Sequence, residues 1–327
     1  MNILVTGGAG YIGSHAARHL DRAGHQVWVY DNLSRGHRSA VLPGRLIEGE
    51  LVDTAALIAT MQQKSIDAVM HFAAFALVGE SVASPEMYYQ NNIVGSLSLL
   101  EAMRRADVRR IVFSSTTATY GEPEIMPIAE STEQRPINPY GFSKLAIERA
   151  LADYSHAHSF RYAALRYFNA AGASPRGDIG EDHDPESHLI PLVLQVALEQ
   201  RENISIFGDD YPTPDGTCVR DYVHVDDLAA AHLMALERLD DGENLHLNLG
   251  TGHGNSVQEV IDACRRITGH AIPTIIDPRR PGDPPELVAD ATLAAQTLDW
   301  QPRYTVIDEI VETAWRWHQS HHHGYGD

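Results

Sequence analysis

Cysteine and cationic side chains are scarce in this 327-residue chain, and each shortage excludes a class of protein. Only Cys218 and Cys264 occur, too few for a disulfide framework and not in metal-ligand spacing, so we expect two unpaired thiols. Lys and Arg total 25 against 44 Asp and Glu, which gives a net charge of -19. Because nucleic-acid binding needs clustered cations, we expect no nucleic-acid partner.

Long apolar runs are also absent. No stretch approaches the roughly 18 uncharged apolar residues of a spanning helix, so we expect a soluble protein with no membrane partner. Residues 1–5 lack a basic segment and read directly as a strand, which argues against a cleaved signal and predicts a cytoplasmic location. The 18 histidines include no His-Glu-x-x-His pattern, and we expect no metal site.

Strand-like apolar runs alternate with amphipathic segments through the first half of the chain. Strands are expected at 3–6, 26–30, 67–71, 110–114 and 162–167. Helices long enough for right-handed crossovers between parallel strands are expected at 11–23, 54–63, 87–105 and 140–156. This alternation is typical of an α/β fold with a Rossmann-type doubly wound parallel sheet.

The alternation breaks after Asn169, where glycine, proline and acidic residues cluster. Beyond this point we expect helices at 189–200 and 225–238 and strands at 204–207 and 245–249. The prediction is a nucleotide-binding Rossmann domain at 1–169, to which a segment near 222–250 returns. Residues 170–221 and 251–327 would form a smaller mixed α/β substrate domain.

A glycine loop follows the first strand and opens the first helix. In Gly7-x-x-Gly10-x-x-Gly13, the helix N-terminus offers free N–H groups and a positive dipole end to a pyrophosphate. Asp31 ends the next strand, where a carboxylate can accept hydrogen bonds from both ribose hydroxyls. The acid favours NAD, whereas Arg35 and Arg38 nearby could attract the 2′-phosphate of NADP.

Tyr140 and Lys144 are spaced to share one face of a predicted helix. A phenol with a pKa near ~10 is a poor base, but an adjacent ammonium and a cationic nicotinamide both favour the phenolate. The strand before this helix runs into Thr116, at the sheet edge where ligands bind. Tyr140, Lys144 and Thr116 are therefore the candidate catalytic residues; an ordinary amphipathic helix and a packed strand threonine are the alternative interpretation.

These motifs resemble the extended short-chain dehydrogenase/reductases and, within them, the UDP-galactose 4-epimerases. The matching runs extend over nearly the whole chain, at 7–15, 31–36, 71–74, 138–144, 166–169, 206–213, 215–222, 248–250 and 279–283. The resemblance implies an isomerase that keeps NAD as its cofactor and passes hydride from C4 of a UDP-hexose to NAD and back. Tyr140 would be the acid/base, and the chain would form a homodimer through helices 87–105 and 140–156.

The resemblance also implies binding residues. Those for NAD are Gly7, Gly10, Tyr11, Ile12, Gly13, Asp31, Asn32, Glu50, Leu51, Phe72, Ala73, Ala74, Asn92, Tyr140, Lys144 and Tyr167. Those for the UDP-sugar are Thr116, Asn169, His188, Leu189, Phe207, Arg220, Arg280, Asp283 and Leu287. Arg220 and Arg280 carry forked donors that suit phosphate oxygens, although either could instead form a surface ion pair.

Two positions bear on the reaction and its substrate range. Ala118 stands where related dehydratases and decarboxylases need an acid, which argues against both reactions. Leu287 lies where some members of the family carry Tyr, and its smaller side chain predicts turnover of UDP-N-acetylhexosamines besides UDP-glucose and UDP-galactose. Epimerisation of UDP-glucuronate or UDP-galacturonate and a non-catalytic NAD-sensing role are the alternatives, and the Tyr140–Lys144 pair weighs against the second.

Overall fold

The computed structural model describes residues 1–280 and 282–326. Its strands are β1 Asn2–Thr6, β2 Gln26–Asp31, β3 Leu46–Glu48, β4 Ala68–His71, β5 Arg110–Ser114, β6 Arg161–Tyr167, β7 Asn169–Ala171, β8 Ile204–Phe207, β9 Val219–His224, β10 Leu245–Leu249, β11 Gly254–Ser256, β12 Thr274–Asp277 and β13 Glu286–Leu287. Its helices are α1 Tyr11–Arg22, α2 Thr54–Gln63, α3 Val78–Ala83, α4 Pro85–Tyr88, α5 Gly95–Arg105, α6 Pro139–His158, α7 Leu189–Ala197, α8 Val225–Arg238, α9 Val257–Thr268, α10 Thr292–Leu298 and α11 Ile307–Ser320. Pro281 and Asp327, which belong to the region predicted at 251–327, lie outside the described residues.

Seven of the described strands form a parallel sheet in the order β10-β6-β5-β4-β1-β2-β3. Strand β1 is followed on one side by β2 and on the other by β4, so the strand order reverses there. In an open parallel sheet, a ligand crevice lies outside the carboxyl ends of the strands at such a reversal. The Rossmann-type doubly wound sheet predicted from the sequence is confirmed.

The two faces of this sheet are buried under different helices. In β1, Ile3 and Val5 pack into a cluster with α1 and α8, whereas Leu4 packs into a cluster with α2, α5 and α6. Successive side chains of a strand point to opposite faces, so a strand covered on both sides is apolar at every position. This double burial explains why β1, β4 and β5 are visible in the sequence as short continuous apolar runs.

The later part of the chain is mixed α/β, as predicted. Strands β7, β9, β11 and β13 pair in a small sheet, and β8 pairs with β12. A third core cluster joins α7, α9 and α11 to these strands. Strand β10 joins the large sheet beside β6, and α10 with Trp300 packs on the same core as α8. The domain boundaries stay a prediction.

Some segments differ from the sequence prediction. The helix expected at 87–105 is three pieces, namely α4, a π-helical turn at Tyr89–Val94 and α5. The helix expected at 189–200 ends at Ala197. Strands β7, β11 and β13 are only three, three and two residues long, which is too short for a periodic pattern to be visible.

The cysteines and the helices can be compared with the sequence. Cys218 and Cys264 are both buried and unpaired within the described ranges. Among those residues, no helix combines the length and the apolar character that crossing a membrane requires.

Candidate active site

The glycine loop is shaped by close backbone contacts. Gly7 has a φ of +72°, and a Cβ there would lie 2.4 Å from the backbone nitrogen of Ala73. A Cβ on Gly13 would lie 2.2 Å from the carbonyl oxygen of Gly7, so neither position accepts a side chain. At Gly10, in contrast, the nearest atom to such a Cβ is 3.4 Å away. The space in front of Gly10 is therefore open.

Helix α1 begins directly behind this space. Gly10 is its N-terminal cap residue, no described side chain caps it, and no acidic residue lies in its first turn. The first N–H groups of a helix need partners, and together with the helix dipole they attract an anion. The loop is consequently a built site for a phosphate group.

Asp31 lies at the end of β2, next to the loop. Its Oδ2 accepts a hydrogen bond from the Ala9 N–H at 3.0 Å, and its Oδ1 accepts one from the Leu33 N–H at 2.9 Å. Burial raises the pKa of Asp31, and these two N–H groups oppose that rise. The carboxylate therefore both orders the loop and lines the cleft in front of it.

Arg35 and Arg38, which could have attracted the 2′-phosphate of NADP, are paired with other groups. Arg35 contacts Glu80 at 2.7 Å and donates to the carbonyl oxygen of Asp184 at 2.7 Å. Arg38 forms an ion pair with Glu48. A 2′-phosphate would compete with these carboxylates and would meet Asp31, so the geometry favours NAD.

A cleft runs along the carboxyl edge of the large sheet. With the exception of Asn92, every residue predicted for NAD lines it, namely Gly7, Gly10, Tyr11, Ile12, Gly13, Asp31, Asn32, Glu50, Leu51, Phe72, Ala73, Ala74, Tyr140, Lys144 and Tyr167. Asn92 is buried behind the cleft, where its side-chain amide bonds both backbone polar groups of Phe75 and the hydroxyl of Ser143. These residues stay predictions as cofactor contacts, and the structure brings all but one of them to one cleft.

Several lining residues were not indicated by any sequence pattern. Glu80 lies in α3 and Asn91 in the π-helical turn, whereas Phe75, Leu77, His183, Asp184 and Pro185 lie outside the helices and strands. Residues 183–185 come from the segment between β7 and α7, so the later part of the chain forms one wall. Only the Gly-rich and acidic composition after Asn169 hinted at a loop there.

Helix α6 carries the candidate catalytic pair. Its first turn is fixed by Asn138, whose side chain accepts from the Gly141 N–H at 2.8 Å, and by Pro139 at the first helical position. Lys144 is buried and donates to the carbonyl oxygen of Ser114 at 2.7 Å, while its Nζ lies 6.0 Å from the centre of the Tyr140 ring. The predicted pair therefore does share one face and reaches the end of β5.

Tyr140 and Lys144 have perturbed acidities. Burial raises the pKa of Tyr140, and a hydrogen bond with the Thr116 side chain opposes that rise. Burial lowers the pKa of Lys144 to about 7, with Glu148 acting in the opposite direction. Thr116 is itself buried and accepts from the Ala118 N–H at 3.2 Å. Because both titrating groups are shifted and lie in one cleft, they are candidates for proton transfer.

A buried ion pair holds α6 against the large sheet. Glu148 contacts Arg166 of β6 at 2.6 Å, and the Ser115 hydroxyl donates to the same carboxylate at 2.5 Å. Burial raises the pKa of Glu148, but His246, Arg166 and Ser115 outweigh it and lower that pKa to about 2. Glu148 thus ties α6 to β6 and to Ser115, which follows β5 and precedes Thr116. The sequence signalled only Arg166, as part of a family motif.

The predicted UDP-sugar residues lie in two places. Near the cleft, His188 is a lining residue and Thr116 hydrogen-bonds Tyr140, while Asn169 begins β7 and Leu189 begins α7. The other members are brought together around β9, namely Phe207, Arg220, Arg280, Asp283 and Leu287.

Around β9, each arginine has a specific neighbour. The Arg280 guanidinium lies 3.8 Å from the centre of the Phe207 ring, and Arg220 forms an ion pair with Asp283. Leu287 of β13 is the strand partner of Arg220. The Arg280 guanidinium lies on a ring and the Arg220 guanidinium lies beside a carboxylate, and both keep N–H donors available for a ligand. This cluster therefore fits a diphosphate with its aromatic base.

The doubly wound sheet, the uncapped helix N-terminus and the Tyr–Lys pair define a Rossmann-type nucleotide-dependent enzyme. Residues 3–250 match the NAD dependent epimerase/dehydratase family. The UDP-glucose 4-epimerase of Halalkalibacterium halodurans is 55% identical over 326 residues, which cover 99% of this chain and 98% of that one.

Solved structures agree with this match. The UDP-glucose 4-epimerase of Brucella ovis in complex with NAD has a TM-score of 0.94 at 51% identity, covering 96% of this chain and 97% of that one. The enzyme of Bifidobacterium longum in complex with NAD+ and UDP has a TM-score of 0.95 at 40% identity, covering 99% and 100%. The chain belongs to the NAD dependent epimerase/dehydratase family, and its resemblance to the UDP-galactose 4-epimerases is confirmed.

Proposed function

We propose that this protein is a 4-epimerase that interconverts UDP-glucose and UDP-galactose. The observation that carries the proposal is that Tyr140 and Lys144 line the cleft that begins at the glycine loop, with Lys144 bonded to the end of β5 and Tyr140 hydrogen-bonded to Thr116. Ala118 occupies the place where elimination or decarboxylation would need an acid. The site can therefore exchange a proton with a hydroxyl and lacks the acid of the competing reactions at that position.

The residues of the cleft fit NAD. Gly10 leaves open space in front of the free N–H groups of α1, which suits a pyrophosphate, and Asp31 is placed for a ribose. Bound in this cleft, NAD would supply the acceptor and the donor for the hydride that C4 of the sugar loses and regains. Because no net oxidation results, the cofactor acts as a retained catalytic group.

Tyr140 moves the proton. Its phenolate oxygen takes the proton from the 4-hydroxyl as the C4–H bond breaks, and its phenol returns that proton to O4 when the C4–H bond forms again. A cationic Lys144 stabilises the phenolate, and a pKa of about 7 leaves part of the Lys144 population cationic at neutral pH. The Thr116 hydroxyl is placed to hydrogen-bond the same reacting oxygen.

The cluster around β9 holds the nucleotide. Arg220 and Arg280 bind the diphosphate, with Phe207, Asp283, Asn169, His188 and Leu189 around the uridine. Tight nucleotide contacts with looser sugar contacts retain the 4-keto sugar and allow it to turn over in the site. Hydride can then return to either face.

The substrate range extends to UDP-N-acetylhexosamines. Leu287 lies beside Arg220 on the small sheet and is only half-buried. A leucine leaves more room than a tyrosine would, and an N-acetyl group needs that room.

A cytoplasmic location stays a prediction from the sequence.

The functional unit is a homodimer. Large apolar side chains are exposed on the segment before α5, on α5 and on α6, namely Tyr89, Val94, Leu97 and Phe142, each 40 to 48% exposed. The Tyr89 and Phe142 rings meet edge to face with their centres 6.0 Å apart. An apolar patch formed by neighbouring helices is typical of a surface that packs against another protein.

One experiment tests the reaction and its base together. Purified protein is incubated with UDP-glucose and no added NAD, and the products are separated and identified. We expect UDP-galactose, and we expect Tyr140→Phe to lower turnover by about 10²–10⁴-fold, as removal of a positioned acid/base does. Tyr154→Phe removes a hydroxyl from the same helix, away from the cleft, and should retain the wild-type rate. Full activity in Tyr140→Phe, or a dehydrated product in place of UDP-galactose, contradicts the proposal.

A further inference from the structure

Two imidazoles and two carboxylates converge on the segment between β7 and α7. Glu181, His183, Glu186 and His188 each place one ligand atom within 4.8 Å of the others. Glu181 is buried among them, and its Oε1 lies 3.3 Å from Nδ1 of His183 and hydrogen-bonds Nδ1 of His188. Both imidazoles thus direct the same ring nitrogen at one carboxylate.

We propose that this cluster binds a divalent transition-metal ion, zinc in the first instance. Imidazole nitrogens and carboxylate oxygens are ligands that zinc takes, with bonds of about 2.0–2.2 Å. Two ligands of a tetrahedral ion with such bonds are about 3.4 Å apart. The His183 Nδ1 atom lies 3.3 Å from Glu181 and 3.6 Å from Glu186, which matches this spacing. Two carboxylates with two neutral imidazoles also balance a divalent charge.

The fourth ligand is held in place by the backbone. Oε1 of Glu186 accepts from the N–H groups of Ser187 at 2.6 Å and His188 at 2.8 Å. Its other oxygen, Oε2, is the one that faces His183. Second contacts of this kind orient the ligating atoms of metal sites. Glu186 is therefore oriented toward the cluster before any ion binds.

The site would clamp one wall of the substrate cleft. His183 and His188 both line that cleft, and Asp184 between them accepts from Arg35, which follows β2. An ion joining residues 181 and 188 closes a short loop and fixes the start of α7. The sequence predicted no metal site because these ligands follow a Glu-x-His-x-x-Glu-x-His pattern in a loop, which resembles no helical metal motif. The role is structural and lies beyond the proposed epimerase reaction; it would also hold in place His188, which is one of the residues proposed around the uridine.

Metal content of the full-length protein tests the proposal. Protein stripped with chelator is incubated with zinc chloride, passed through a desalting column and analysed for zinc. We expect about one zinc per chain, and a higher melting temperature of the wild-type protein with zinc than without, because a ligand bound only to the folded state stabilises it. Cobalt in place of zinc should show the visible absorption of tetrahedral coordination.

Variants identify the ligands. His183→Ala and the near-isosteric Glu186→Gln should each lose the stoichiometric zinc and the zinc-dependent rise in melting temperature. Asp184→Asn changes a residue in the same loop, and a His322→Ala/His323→Ala variant removes imidazoles from the tail. Both variants should keep the stoichiometric zinc and the zinc-dependent rise in melting temperature. Zinc well below one per chain in the wild type, zinc retained by Glu186→Gln, or zinc lost with the tail histidines overturns the proposal.

Discussion

At Tyr140 and Lys144, burial makes the uncharged forms more favourable. It raises the pKa of the phenol and lowers that of the ammonium to about 7. Proton abstraction needs the opposite pair of forms, a phenolate beside an ammonium. The positive charge of a bound nicotinamide favours the phenolate by Coulomb attraction. We therefore expect Tyr140 and Lys144 to act only when NAD is bound.

The side chain at Leu287 is predicted to set the upper size of the sugar. The wild-type protein should turn over UDP-N-acetylglucosamine as well as UDP-glucose, and Leu287→Tyr should lower N-acetyl turnover by about 10-fold or more while UDP-glucose turnover changes little. Leu293→Tyr makes the same change at an exposed position of α10 and should leave the ratio of the two rates unchanged. Wild-type protein that converts UDP-glucose well and UDP-N-acetylglucosamine undetectably would refute the dual range.

Gly10 and Gly13 should respond differently to alanine. A methyl group on Gly10 fits the fold but enters the open space in front of α1, so Gly10→Ala should lose bound NAD and, compared with NAD-free wild type, should retain its melting temperature. At Gly13 the methyl group meets the Gly7 carbonyl at 2.2 Å, and overpacking of this kind costs about 1–3 kcal/mol of stability. Calorimetry and the NAD released on denaturation measure the two effects. A Gly10→Ala protein that unfolds early, or one with full NAD content, contradicts this assignment.

At the scale of elements, α6 connects the catalytic pair to the sheet. Its N-terminus is capped by Asn138, its second turn bonds the end of β5 through Lys144, and Glu148 pairs with Arg166 of β6. The cap fixes the first turn of the helix, and the other two contacts hold the helix against β5 and β6. The position of the Tyr140 hydroxyl relative to Thr116 follows from this attachment.

The Glu148–Arg166 pair should make stability depend on pH in acid. The pKa of Glu148 falls from 4.5 to about 2 on folding, so its contribution is complete above 4.5 and is lost as the pH falls toward 2. At pH 7, Glu148→Gln leaves a buried guanidinium unpaired and should cost about 3–5 kcal/mol of unfolding free energy. Chemical denaturation at several pH values should show this difference shrinking below pH 4.5.

A matched variant separates the buried pair from ordinary surface charge. Glu101→Gln breaks an ion pair with Arg104 on the exposed side of α5. It should change the free energy of unfolding little, both at pH 7 and in acid. A pH-independent loss in Glu148→Gln would mean that the carboxylate contributes by packing and not by its charge.

At the scale of the whole molecule, the two parts of the chain are joined beside the glycine loop. The Tyr11 hydroxyl donates to the Gly172 carbonyl at 2.6 Å, and Arg18 of α1 contacts Asp178 at 2.8 Å. Because these contacts start from the glycine-loop helix, the part that binds the nucleotide sugar is positioned relative to the cofactor loop. Hydride transfer between two ligands requires such a fixed relation.

The exposed apolar patch should control the oligomeric state. Leu97→Glu places a charge in it and should convert the expected dimer into a monomer, measured by size-exclusion chromatography with light scattering. Leu293 is exposed to a similar extent, 41% against 40%, and Leu293→Glu should remain dimeric. A monomeric wild type, or a Leu97→Glu protein that stays dimeric, contradicts the proposed interface.

The sequence by itself determined the parallel sheet, the glycine loop, Asp31 and the Tyr140–Lys144 spacing. Each of these is a local pattern: apolar runs at strand length, glycines at a strand-to-helix turn, or two side chains one helical turn apart. Such patterns reflect the backbone within a few residues, so they are readable without knowing what packs against them.

Only the tertiary structure decided which distant groups meet. It paired Arg220 with Asp283 and Glu148 with Arg166, occupied Arg35 with Asp184 and Glu80, and gathered residues 181–188 against the cleft. Burial and electrostatic partners depend on elements far apart along the chain, and no local pattern encodes them. The chemistry of the site therefore could be named from the sequence, whereas the acidities of its groups and the candidate metal cluster depend on packing.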